Sequence, residues 1–180
     1  MRQVALLRGI NIGSRNRIAM PALREVLGDA GYEDVETYVQ SGNVVLSAGE
    51  KAAALEGSLE LLIEERFGLA IPVVVRTRAQ LARVIKLNPL GDVASDPKRY
   101  QVAFLRGKLP REAAEALNVA AAEPERVVID GREVYAWHPD GVARSKLWNA
   151  LAGQGLGVTA TARNWSTVLK LCEMAAGAVG

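Results

Sequence analysis

Cysteine and histidine each occur once in the 180-residue chain, as Cys172 and His138. A single cysteine excludes an internal disulfide framework, and one residue of each kind leaves too few ligands for a Cys/His metal site. Long apolar runs are also missing. The longest near the start, Val4–Leu7, is far shorter than a signal-peptide core or a membrane span. No membrane association is expected, and the expected location is the cytoplasm. Acidic residues are absent from the first 24 positions, which carry five arginines: Arg2, Arg8, Arg15, Arg17 and Arg24.

What is present is a substantial apolar fraction, 49%, which supports a real core and argues against disorder. The net charge is only +2, but the charges alternate in blocks along the chain. Residues 25–75 carry two basic and ten acidic side chains, and residues 76–111 carry nine basic and two acidic. Residues 112–140 carry two basic and seven acidic, and residues 141–172 four basic and none acidic. Such blocks suit either solvated helix faces or a positive surface facing an anionic partner.

The chain repeats itself. Gln3-Val4-Ala5-Leu6-Leu7-Arg8-Gly9 returns as Gln101-Val102-Ala103-Phe104-Leu105-Arg106-Gly107, identical at six of seven positions with an offset of 98. Later the offset is 89, since Pro21 to Gly42 spans the same distance as Pro110 to Gly131. The difference, 98 − 89 = 9 residues, is an insertion directly after the first repeated strand. It contains Ile10-Asn11-Ile12-Gly13-Ser14-Arg15-Asn16-Arg17, and the second copy has no counterpart. A duplicated scaffold with one elaborated loop points to that loop as the place where function sits.

Hydrophobic periodicity gives each copy the same element order. In the first, Val4–Arg8 reads as a strand, and Pro21 opens a helix through Leu23, Val26 and Leu27 that ends at Gly31. Val35, Thr37 and Val39 alternate with polar partners, and Ser41-Gly42-Asn43 turns the chain into Val44–Ser47. Leu55, Leu59, Leu62 and Ile63 have helical spacing, Ile71–Val75 is the fourth strand, and Leu81, Val84 and Ile85 mark a trailing helix. In the second, Gln101–Leu105 is followed by a helix opened by Pro110. An Asp130-Gly131 hairpin then joins Val127–Ile129 to Val134–Trp137. A helix over Lys146–Leu151, a strand over Val158–Ala162 and a closing helix from Trp165 to Met174 complete it. This is an α+β chain of two tandem ferredoxin-like (βαββαβ) halves, each followed by an extra helix. The expected division is residues 1–87, a linker over 88–99 around Asn88-Pro89-Leu90-Gly91, and residues 100–180. In that topology the loop after the first strand and the turn after the second lie at the same end of the sheet.

The inserted loop is the first candidate site. Its glycines allow amides to turn inward, while Arg8, Arg15 and Arg17 supply forked donors and the following helix presents its positive end. Asn11, Gly13 and Asn16 complete the candidate set for holding a phosphate or carboxylate. The loop is neither a Walker sequence nor Gly-x-Gly-x-x-Gly, and no cofactor is expected. Its structural alternative is a connection whose asparagines satisfy their own backbone. Ser41 and Asn43 are candidates by position, although Ser-Gly-Asn is also ordinary turn chemistry. Arg163 and Asn164, in Thr161–Trp165 at the start of the last helix, either contact a ligand or cap that helix. Cys172 reads as a packed thiol, His138 as a surface-loop residue, and the carboxylates as lying mainly on the exposed sides of helices, with no recognisable acid–base pair. The absence of aromatics from Val4–Leu7 and Val44–Leu46 argues against RNA-recognition-motif binding on the first sheet.

Four blocks in order, Leu6–Gly13, Thr37–Val44, Asn88-Pro89 and Thr161–Trp165, resemble the signature segments of the bacterial domain of unknown function 1697 family. The resemblance spans nearly the whole chain and implies a pair of ferredoxin-like halves, with no activity attached. The chain departs from the usual pattern at Ser14, where a second glycine is common. It also has arginines where lysines often flank Asn16. Three readings remain: a binding module for a phosphate-bearing ligand, nucleic acid or nucleotide; an enzyme on a small phosphorylated substrate; and an interaction module that pairs with a partner or a second copy.

Overall fold

The computed structural model describes residues 1–153 and 155–177. Gln154 and residues 178–180, which belong to the expected second half, lie outside the described residues. Fourteen elements follow one another as β1 (Arg2–Leu7), α1 (Met20–Asp29), β2 (Glu33–Tyr38), β3 (Asn43–Ser47), α2 (Ala52–Phe67), β4 (Val73–Thr77) and α3 (Arg78–Leu87), then β5 (Tyr100–Leu105), α4 (Arg111–Ala120), β6 (Arg126–Asp130), β7 (Glu133–Trp137), α5 (Lys146–Ala152), β8 (Ala160–Asn164) and α6 (Trp165–Ala176). Each set of four strands makes its own antiparallel sheet, ordered β2-β3-β1-β4 and β6-β7-β5-β8. The two sheets share one topology, that of two ferredoxin-like halves.

The described residues form two compact units, Met1–Ala82 with residues 171–177, and Arg83–Lys170. In the first, alternate residues of the central strands, Ala5 and Leu7, Val44 and Leu46, Val73 and Val75, face a core completed by Leu23 and Leu27 of α1 and Leu55, Leu59 and Ile63 of α2. Those helix positions are three and four apart, so each helix buries one stripe. Gly68 stops α2 in the left-handed conformation at φ 67°, where a residue with a Cβ is strained. The second core repeats the plan with Ala103, Leu105, Val134 and Ala136 beneath Leu117, Leu147 and Leu151.

β4 is an edge strand, and its outward amides are not left to solvent. Val73 N donates to Glu60 Oε1 and Val75 N to Glu56 Oε1, each at 2.9 Å. Two carboxylates one helical turn apart on α2 thus replace the missing neighbour strand. Buried Glu56 is thus an exception to the expectation that the carboxylates lie mainly on exposed sides of helices.

Other expectations shift in detail. β2 ends at Tyr38, so Val39–Gly42 forms the connection and Asn43 begins β3. The fourth strand of the second sheet is Ala160–Asn164, two residues later than expected, which puts Arg163 in a strand and not at a helix start. His138 is no surface residue. Its ring is fully buried, with Nδ1 2.8 Å from Glu125 Oε1 and 3.1 Å from Ser145 Oγ and an edge-on contact with Trp148. Its backbone amide also continues the pairing by donating to Arg99 O.

Candidate functional site

The insertion begins where β1 ends and closes on itself through two asparagines in the left-handed region, Asn11 at φ 54° and Asn16 at φ 47°. Asn is among the few residues that accept that conformation at low cost. Asn11 N donates to Asn16 O, and Asn16 Nδ2 donates to Gly9 O, both at 3.0 Å. The Asn11 carboxamide then works in three directions. Its Oδ1 accepts from Ile18 N at 2.9 Å, and its Nδ2 donates to Ile18 O at 2.9 Å and to Gln40 O at 2.7 Å. The last of these ties the insertion to the β2–β3 turn, so the two lie side by side as the strand order requires. Buried Ile10 and Ile18 anchor the two ends of the loop in the first core.

The turn fits closely against this anchor. Gly42 has φ 76°, and a Cβ there would sit 2.7 Å from Leu7 Cβ and 2.8 Å from Ile10 Cδ1. Leu7 N donates to Gly42 O at 2.8 Å and Arg8 N to Pro72 O at 2.9 Å. The second unit has the same two bonds without the insertion, Leu105 N to Arg132 O and Arg106 N to Thr159 O. Asn43 is fully buried, and its Nδ2 donates to Tyr38 O and Ser41 Oγ at 3.0 Å, while Ser41 itself is exposed.

Between its asparagines the loop is exposed from Ile12 through Arg17. Arg17 Nη1 donates to Gly13 O at 2.9 Å. Arg2 forms an ion pair with Glu36. Among the described residues, neither Arg15 nor Arg17 pairs with a carboxylate. The helix that follows starts after Ala19, which offers no side-chain cap, and has Pro in its first turn and no acidic residue there. Its positive end is therefore not neutralised locally. Two apolar residues that the sequence did not single out also stand exposed here, Ile12 at 69% and Val39 at 52%.

Arg163 and Asn164 belong to the second unit. Arg163 is buried, and Nη1 donates to Thr161 Oγ1 and Ala162 O at 2.8 Å. Burial pushes its guanidinium down to about 10, so it remains charged at neutral pH. Asn164 Oδ1 accepts from Thr167 N at 2.9 Å, capping α6. Burial pushes the half-buried Cys172 thiol up, away from a reactive thiolate. Clefts of about 510 and 640 Å³ are lined by Met1, Ala30–Glu33 and Ser47–Glu50, and by residues around Glu123–Glu125 and Asp140–Lys146. Neither includes a residue of the inserted loop. Among the described residues, no helix is long and apolar enough to cross a membrane.

The fold defines a tandem pair of ferredoxin-like α+β units, one carrying a basic loop. Residues 1–135 match the family model described as "Protein of unknown function (DUF1697)", and the chain belongs to that family. Among solved structures it is similar to the conserved bacterial protein SP0830 from Streptococcus pneumoniae, with a TM-score of 0.78 and 21% identity over 97% of this chain and 98% of that one. That likeness concerns the fold alone. No relative is found among curated proteins.

Proposed function

We propose that the chain is a binding module for a phosphate-bearing ligand, nucleic acid or nucleotide, held at the loop after β1. The observation that carries this reading is the division of labour within the insertion. Asn11 and Asn16 hold its shape, while Arg15 and Arg17 stand exposed without carboxylate partners. Cations kept out of internal pairs, beside an uncapped helix start, suit an oxyanion. The loop is exposed and lines neither of the two clefts described above, which favours binding at an open surface over an enclosed reaction. Arg8, Asn11, Gly13 and Asn16 present the loop backbone, and Ser41 offers a hydroxyl from the adjoining turn. Asn43, Arg163 and Asn164 have donors or acceptors engaged within the fold and support the scaffold in this reading.

The test is the double variant Arg15→Ala/Arg17→Ala. Each loss is expected to cost about 1.5–3 kcal/mol of binding to a single-stranded oligonucleotide or a nucleoside phosphate. Stability is expected to change by no more than about 0.5 kcal/mol per site. A salt titration and a thermal melt separate the two effects, and unchanged affinity would move the site away from the loop.

A further inference from the structure

We infer that the loop face receives an unpaired nucleobase together with the phosphate, with Ile12 and Val39 as its apolar seat. The inference rests on the phosphate-binding reading and specifies its ligand as a single strand or a free nucleotide, not a duplex. Ile12 and Val39 are among the exposed large apolar residues of the chain, and each lies one residue from the 2.7 Å Asn11–Gln40 hydrogen bond. One is carried by the insertion and the other by the turn, so that single bond holds two apolar groups at one end of the sheet. Arg15 is three residues from Ile12, and the two are joined by an isolated β-bridge with Arg15 N donating to Ile12 O at 3.2 Å. The backbone positions that carry the apolar seat and the cation are thereby fixed to one another.

Val39 adds a second, independent observation. It has φ 52°, a conformation that β-branched residues rarely adopt and that glycine or asparagine would take with less strain. A strained valine, more than half exposed, gains little from the core and offers its side chain to the outside of the fold. Two apolar side chains make a surface too small for a stable protein interface, where hundreds of Å² are needed. They suit the face of one base, whose flanking phosphate then meets Arg15 or Arg17. A duplex stacks its base faces away and offers the loop only its backbone and base edges, leaving Ile12 and Val39 without a base face to cover.

The experiment compares ligands that carry the same phosphates with and without bases. The intact chain is titrated with a short single-stranded oligodeoxynucleotide, an abasic strand of equal length, the duplex, adenosine monophosphate and ribose 5-phosphate. The base-bearing member of at least one pair is expected to bind about tenfold more tightly, in line with burial of a small apolar area. That gap is expected to close in Ile12→Ser and in Val39→Asn, while the salt dependence stays. A gap for the strands points to nucleic acid as the source, and a gap for the mononucleotide alone points to a free nucleotide. Equal affinity within both pairs overturns the base seat and leaves phosphate binding standing. Absence of binding to every probe overturns both. Ile12-dependent binding to phosphatidylglycerol vesicles without discrimination among the strands overturns it in favour of a lipid surface.

Discussion

Arg76 and Arg163 occupy the same place in the two sheets. Arg76 is paired with Val4 and Arg163 with Val102, the matching residues of the repeated strand. Both guanidiniums are buried, and each Nη1 donates to the carbonyl of the preceding residue, Val75 O at 2.9 Å and Ala162 O at 2.8 Å. A position that reads as a ligand contact in the second copy is thus half of a duplicated scaffold feature. Arg163→Ala is expected to lower stability by about 3 kcal/mol, since it removes a buried charged donor from two acceptors. Arg15→Ala is expected to leave stability nearly unchanged. Chemical denaturation of the two variants checks the contrast, and equal midpoints would remove the distinction between scaffold and site.

The carboxylates behind β4 make a second prediction. Glu56→Ala leaves the buried amide of Val75 without the acceptor described above, and a loss of about 1–3 kcal/mol is expected. Amide hydrogen exchange should show faster exchange at Val75 than at the centrally paired residues of β1. Unaltered protection would mean that other groups hold this edge.

Val39 is a place where the sequence can be improved for stability at the expense of binding. Val39→Asn relieves a left-handed β-branched residue and is expected to raise stability by about 1 kcal/mol. For a chain of this size that is a rise in Tm of about 2–4 °C. A lower Tm would show that the exposed valine packs productively.

Alkaline pH should find Tyr100. Its ring is buried and stacked on Trp165, with centroids 4.7 Å apart, and burial pushes its phenol from 10.0 up to about 12. A folded value above the unfolded one means that the stabilisation is complete below pH 10 and is lost as pH rises through about 12. Tyrosinate absorbance should therefore appear in two stages, with the later one, which the buried Tyr135 shares, reduced in Tyr100→Phe. A single transition near pH 10 for all tyrosines would contradict the burial of this ring.

Much of the architecture was legible because two signals agreed, the period of the apolar residues and the repeat of Gln3–Gly9. The errors fall where backbone geometry or tertiary pairing decides. Val39 continues the alternation of Val35 and Thr37, and nothing in residue type reveals that its φ is positive. Arg163 follows polar and small residues that carry no strand period, so the repeat alone placed the strand, over Val158–Ala162, and its extension to Asn164 became visible only through pairing with β5. His138 looked like a loop residue beside Pro139, because the partner that buries it, Glu125, comes from a distant turn. The candidate site was half legible. The insertion and its arginines stand out by comparison with the second copy, whereas Ile12 and Val39 needed their exposure to be seen.

The bonds from Leu7 to Gly42 and from Arg8 to Pro72, matched by those from Leu105 to Arg132 and from Arg106 to Thr159, make the insertion a detachable part. The same socket exists twice, filled once. Grafting Ile10–Ile18 after Gly107 asks of the second unit only a space for two isoleucines and an acceptor in place of Gln40 O. Removing it from the first unit asks for a link as short as the one the second already uses and for apolar side chains to replace Ile10 and Ile18 in the core. One polypeptide thus holds an elaborated loop and its own blank, and the history of such a chain can be written in what is plugged in without redrawing the sheets that carry it.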